Sequence, residues 1–293
     1  MSTAVTFWGT RGTIPSPGAH TVRYGGNTAC VEIRNGDGHL VILDAGTGIR
    51  GLGKRLASGQ TPDPLRAHIV LSHAHWDHIQ GLPYFAPFFR QGNVITVWGP
   101  KQGEVGMEEI LRQLMQPVVF PVPLDALAAT LEVKHVNAEP IETEGCTITS
   151  LRVRHPAVTL AYRLEAPGGA SIVYVPDVEL GPAGQYTVGP KWRQQFVRFV
   201  GGADLLIHDA TYTPEEYQTH AGWGHSTFVE AVELARESGV KRLALFHHEP
   251  EHTDAATDEI AAEAQQLASR GGGRLEVVAA AEGQQITLAG TRE

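Results

Sequence analysis

The stretch Ser72-His73-Ala74-His75-Trp76-Asp77-His78 gathers three imidazoles and a carboxylate into a few positions. Imidazole and carboxylate are the donors that zinc, manganese and iron accept. The order His-x-His-x-Asp-His lets His73 and His75 hold one ion while Asp77 and His78 turn back to a second. The apolar run Ile69-Val70-Leu71 before it reads as a strand, whose end releases the donors into a cleft. The cluster is therefore read as a dinuclear metal site.

Other strand-like runs also end in polar groups. Residues 146–153 lead into Arg154-His155-Pro156, where the proline holds the preceding histidine extended. Residues 171–175 lead into Pro176-Asp177, and a carboxylate at the end of a buried strand is costly unless paired or bound to metal. A further strand ends in His208-Asp209-Ala210-Thr211, and residues 241–246 end in His247-His248-Glu249-Pro250. Thr227 and Glu230 form a capping box, which stands His225 just before a helix N-terminus at the mouth of the cleft.

The elements that must position these groups follow from local pattern. Strands are expected at 5–8, 30–34, 39–44, 67–71, 94–98, 131–136, 160–165, 275–279 and 285–288. Asn35-Gly36-Asp37-Gly38 is a hairpin turn. Helices are expected at 105–115 and along the face of Ile260, Ala264, Leu267 and Ala268. Residues 117–123 hold too many prolines for regular structure and suit a linker or a flap beside the site. The aromatic run 81–89 suits core or a cleft wall. Gly46, Gly48 and Gly51 follow a strand with the spacing of a dinucleotide fingerprint, which requires an acidic residue at the end of the next strand. That strand ends in Ser72-His73, so the glycines are read as a tight turn into a short helix. Asp44 fits either a carboxylate behind the metal ligands or a turn or cap residue.

The chain has 293 residues, 42% hydrophobic and 19% charged, enough to bury a large core. No long linker or internal repeat divides it, so one domain over residues 1–293 is expected. No apolar run is long enough for a membrane helix and the N-terminus lacks secretory-signal features, so a cytoplasmic location without membrane contact is expected. Cys30 and Cys146 are expected to pack as small hydrophobes. The formal net charge of −9 argues against a broad nucleic-acid surface, although metal ions reverse the local potential of a cleft.

The 72–78 stretch resembles the signature of the metallo-β-lactamase superfamily. That resemblance implies an α/β fold, an αββα sandwich of two mixed β-sheets packed face to face with helices outside. It also implies the remaining ligands: His155 as third ligand of the first ion with His73 and His75, Asp177 as the bridging aspartate, and His247 with Asp77 and His78 on the second. His248 then either stands behind the metal ligands or faces substrate. Zinc is the first choice for the two divalent ions, with manganese or iron also suited to the donors. His208-Asp209-Ala210-Thr211 resembles the His-Glu-Ala-Thr motif of ribonuclease Z-type tRNA 3′-processing enzymes and related cyclic-nucleotide phosphodiesterases, and Gly224-His225-Ser226-Thr227 matches their His-Ser-Thr motif.

By this resemblance the catalytic set is His225, oriented by Asp209, together with Asp77. A hydroxide shared by the ions would attack phosphorus while His225 assists the leaving oxygen. The best-known tRNA-processing members insert a long arm between the third histidine and the bridging aspartate, and the interval from His155 to Asp177 has no room for one. A phosphodiesterase acting on small cyclic nucleotides is therefore the first expectation. A tRNA 3′-processing endoribonuclease, a carboxyl-ester or lactone hydrolase and a non-catalytic metal-dependent binding protein are the alternatives. Family analogy also suggests a homodimer.

Overall fold

The computed structural model describes residues 2–290 except 60–63, 167, 183, 185, 187, 190 and 273. Its first half builds β1 (Ser2–Gly9), β2 (Cys30–Arg34), β3 (Leu40–Leu43), β4 (Arg66–Val70), β5 (Val94–Gly99) and β6 (Thr130–His135). Its second half builds β7 (Ile141–Glu142), β8 (Thr147–Arg152), β9 (Leu160–Glu165), β10 (Ser171–Val175), β11 (Leu205–Asp209), β12 (Arg242–Phe246) and β13 (Glu276–Ala279). The last strand, β14 (Gln285–Ala289), crosses back to pair with β1. Two seven-stranded sheets result, ordered β14-β1-β2-β3-β4-β5-β6 and β13-β12-β11-β10-β9-β8-β7.

Strand alternation explains how the sheets stack. Side chains of successive strand residues point to opposite faces. In β10, Ile172 and Tyr174 enter the layer between the sheets, while Val173 and Val175 face the outer helices. In β4 the same split sends Val70 inward and Ile69 outward. The inner layer also holds Phe7 and Phe246, whose rings lie 6.1 Å apart. Burying each such side chain contributes about 1.5–3 kcal/mol.

Helices α1 (Ile49–Ala57), α2 (Trp76–Ile79) and α3 (Met107–Leu114) belong to the first half of the chain. α1 and α3 cover the outside of the first sheet through Ile49, Leu52, Met107 and Leu111. The outside of the second is covered by α4 (Trp192–Val200), α6 (Phe228–Glu237) and α7 (Asp254–Ser269), through Phe196, Val232 and Ala264. Between them lies α5 (Pro214–His220). The architecture is the αββα sandwich expected from sequence.

In each sheet four neighbouring strands run parallel, β3 to β6 and β10 to β13, out to one edge. Their C-terminal ends therefore share an edge, and β4, β10, β11 and β12 all finish beside it. Helix α3 starts later than the 105–115 pattern suggests, because Gln102 and Val105 pair across a tight turn first. Residues 117–123 carry no helix or strand, and Val118 and Val119 project into solvent. Cys30 and Cys146 are free and buried, as expected of small hydrophobes. Among the described residues no helix is long and apolar enough to cross a membrane.

Candidate metal centre

Beyond β4 the chain runs through Ser72 and His73, and His75 then caps α2, whose single turn carries Asp77 and His78 back under the loop. That turn separates the donors into two groups. Ligand atoms of His73, His75, His155 and Asp177 lie within 4.8 Å of one another, and so do those of Asp77, His78 and His247. Asp177 stands between them. Its Oδ2 is 3.6 Å from Nε2 of both His73 and His155, while its Oδ1 is 3.1 Å from Nε2 of His78 and 3.5 Å from that of His247. All seven residues named from the sequence as ligands thus converge, delivered by the ends of β4, β8, β10 and β12.

Four of the five rings are held from behind. Asp44, with no exposure, accepts from Nδ1 of His78 at 2.7 Å, from the Ser72 N–H and hydroxyl at 2.6 and 2.8 Å, and from the Tyr174 hydroxyl at 2.8 Å. Ser72, its proton directed to Asp44, accepts from His73 Nδ1 at 3.0 Å. The Gly224 carbonyl accepts from His155 Nδ1 at 2.9 Å, and Thr211 Oγ1 lies 3.1 Å from His247 Nδ1. These partners leave the lone pairs of His73, His78, His155 and His247 on Nε2, toward the centre. His75 instead turns Nδ1 inward, 3.1 Å from His155 Nε2.

The donors fit a pair of divalent cations. Nε2 of His73 is buried without a hydrogen-bond partner, and Nε2 of His78 and Oδ1 of Asp177 face each other at 3.1 Å without the alignment of a hydrogen bond. Such atoms are costly to bury unless something compensates them. Burial holds His73 below the ordinary imidazole range and His155 at about 4, so both are neutral, as metal ligands must be. At His78 burial opposes charge, but Asp177, Asp77 and Asp44 raise its pKa well above the ordinary value. That position favours a positive charge, which a metal ion would supply in place of a proton.

Backbone strain concentrates at the same place. The non-glycine residues with positive φ among those described are Thr13, Asp44 and His247, at 60°, 56° and 60°. Each such conformation costs about 1–3 kcal/mol and persists where surrounding contacts enforce it. Thr13 donates its N–H to Asp77 Oδ2 at 2.8 Å, so the strained 9–26 loop braces the second donor group. The glycine-rich turn expected before α1 has a steric purpose here. A Cβ on Gly46 would stand 2.2 Å from the Asp77 carbonyl, so the turn packs directly under the metal loop.

His225 lies between the donor groups, its ring 4.8 Å from that of His247 and 5.4 Å from that of His155. Its Nδ1 bonds Asp209 Oδ2 at 2.9 Å. Burial disfavours charge on His225, but Asp209 and, further off, Asp177 and Asp77 outweigh it and raise its pKa to about 9. Asp209 also accepts from the Val178 N–H and from the Thr211 N–H and hydroxyl. The shorter acid in place of glutamate therefore still reaches His225. His248 requires a correction. Its Nε2 donates to the Ala280 carbonyl at 2.8 Å and burial lowers its pKa to about 3, so it pins a strand end rather than facing substrate.

Sequence reasoning left Asp44 open between two roles and passed over Ser72, Thr211 and Glu179. Beside His75 a groove of about 670 Å³ opens, lined by Ala74, Trp76, Tyr84, Gln102, Val105 and Phe120 among others. Trp76 is 77% exposed at its edge. In the aromatic run, Phe85 and Phe88 are core, whereas Tyr84 lines this groove, so the run serves as both core and cleft wall.

Residues 39–248 match the family model described as "Beta-lactamase superfamily domain". The chain is 26% identical to a ribonuclease Z of Haloarcula marismortui, an alignment covering 90% of this chain and 91% of that one. Among solved structures it resembles the metallo-β-lactamase fold protein YhfI of Bacillus subtilis, with a TM-score of 0.70, 21% identity and coverage of 98% and 99%. It also resembles a diphosphatase of the PhnP family, with a TM-score of 0.68, 19% identity and coverage of 99% and 100%.

Proposed function

Because the chain belongs to the β-lactamase superfamily domain family, we propose that it is a dinuclear metal-dependent hydrolase of phosphodiesters, acting on RNA in the manner of ribonuclease Z. The observation that carries the hydrolase reading is Asp177, whose two oxygens address the two donor groups separately. The substrate class rests on the ribonuclease Z relative, aligned along nine-tenths of the chain. This reading displaces the small cyclic phosphodiester as first choice.

His73, His75, His155 and Asp177 would hold one ion, and Asp77, His78, His247 and Asp177 the other, with zinc the first choice of metal. Bound there, the ions supply Lewis acidity at the phosphoryl oxygens and make water nucleophilic at neutral pH. Asp77 keeps its place through Thr13 and remains ionised. Burial pushes its pKa up, but His78 and the contacts of His247 and His78 hold it well below the carboxylate range. His225, with Nδ1 engaged by Asp209, is left with Nε2 to donate a proton to the departing ribose oxygen. Asp209 keeps that tautomer and favours the charged ring.

A second reading, hydrolysis of a small phosphodiester, is favoured by one observation. Only β9, a turn and β10 separate His155 from the Asp177 segment, which leaves no arm to grip a folded RNA. Incubating the zinc-loaded chain with a 3′-extended precursor tRNA and, separately, with cyclic nucleotides decides between them. Cleavage of the precursor at its 3′ extension supports the RNA reading. Turnover of cyclic nucleotides alone overturns it in favour of the second.

A further inference from the structure

Glu179 lies two positions beyond Asp177, has no exposure to solvent, and plays no part in the chemistry above. Its carboxylate accepts from four donors. Oε1 takes the Tyr217 hydroxyl and the Gly222 N–H, the latter at 2.9 Å. Oε2 takes the Tyr186 hydroxyl and the Gly224 N–H, the latter at 3.1 Å. Its own backbone N–H donates to the Arg154 carbonyl at 2.8 Å. One residue thus grips both the segment before His155 and the loop before His225.

What that loop presents matters. Gly224 turns its carbonyl onto His155 Nδ1 at 2.9 Å, and only a residue without a side chain fits, since a Cβ there would stand 2.4 Å from that nitrogen. Its φ of +96° also belongs to glycine. Nearby, Ser226 donates to the Val178 carbonyl and accepts from the Leu180 N–H, closing residues 222–226 against 178–180. The Glu179 carboxylate is the charged centre of this clasp. Backbone donors on a carboxylate form the stronger class of hydrogen bond and fix direction as well as distance.

We propose that Glu179 is a positioning residue that, through Gly224, sets the tautomer and pose of His155 and so tunes the affinity of the first metal position more than that of the second. The inference rests on the metal-centre reading above. Glutamine at this position keeps the size but replaces an acceptor oxygen with an NH2 group facing the Gly224 N–H or the Gly222 N–H. The loop must then shift, and the Gly224 carbonyl with it. The second donor group is braced mainly from elsewhere, by Asp44 on His78 and Thr13 on Asp77, and meets the clasp only at the His225–His247 ring contact and through Asp209, which accepts from the Val178 N–H.

The test is zinc affinity, measured by competition with a chromophoric chelator, for Glu179→Gln in two backgrounds. His247→Ala leaves the first position and His155→Ala leaves the second. The expected result is a loss of about 10-fold or more at the first position, in line with the usual effect of residues behind metal ligands, and little change at the second. Equal weakening at both positions would show a general loosening and overturn the proposal, as would no change at the first. A wild-type chain that binds no zinc would overturn the metal-centre reading and the proposal with it. If Glu179→Gln fails to fold, Tyr217→Phe in the same backgrounds replaces it. A smaller loss confined to the first position is then expected, and no loss there would overturn the proposal.

Discussion

His225 Nδ1 lies 2.9 Å from Oδ2 of Asp209, a carboxylate with no access to solvent. Asp209 also reaches His247 through the Thr211 hydroxyl, so one buried acid orients the proposed proton donor and a proposed metal ligand together.

Replacing His225 with alanine should therefore separate chemistry from metal binding. General acid assistance contributes about 10²–10⁴-fold. The His225→Ala variant is expected to lose kcat on that scale while zinc content and KM change little. Steady-state kinetics beside elemental analysis checks this, and unchanged kcat would remove His225 from the mechanism.

The pair also makes the metal-free chain sensitive to pH. The His225 pKa is raised from about 6.5 in the unfolded chain to about 9 in the folded one. Its stabilising contribution is thus fully present below pH 6.5 and is lost as pH rises through about 9. Urea unfolding of the metal-free protein at a series of pH values should show a decline over this window, on the order of 3 kcal/mol in total. His225→Ala should flatten it, and an equal decline in that variant would assign the effect elsewhere.

Asp44 is the corresponding anchor for the second donor group, holding His78 Nδ1 at 2.7 Å. Asp44→Asn leaves the shape but weakens the acceptor that orients the ring. Zinc affinity at the second position is expected to fall about 10- to 100-fold. Isothermal titration of the His155→Ala background with and without the change measures it, and equal affinities would reduce Asp44 to a turn residue.

Trp76 offers a test of the groove. Base–aromatic stacking contributes about 1–3 kcal/mol per base. Trp76→Ala is expected to raise KM for an RNA substrate accordingly, with little effect on a chromogenic phosphodiester that lacks a base. A parallel change for both substrates would place Trp76 outside substrate binding.

The metal loop was legible in sequence because its donors sit within a single strand end and turn, where spacing nearly determines geometry. His155, Asp177 and His247 were legible only through resemblance, since their convergence depends on the register of parallel strands brought together from distant parts of the chain. Sequence alone leaves Asp44 open between a carboxylate behind the ligands and a turn or cap residue, and only the pairing of β3 beside β4 places it behind His78. His248 misled because it neighbours His247. The two rings take different partners, His247 Nε2 3.1 Å from Asp77 and His248 Nε2 on the Ala280 carbonyl, which no spacing rule conveys. The capping box Thr213–Glu216 announced α5 and was overlooked, while α4 has no side-chain cap to announce it.

The most direct measurement is hydrolysis of bis(p-nitrophenyl) phosphate as zinc is titrated into metal-stripped protein. Turnover should rise with occupancy, reach its plateau at about two ions per chain, and disappear in Asp177→Asn. Turnover that persists in the stripped protein, or none with both positions filled, would contradict the dinuclear phosphodiester hydrolase.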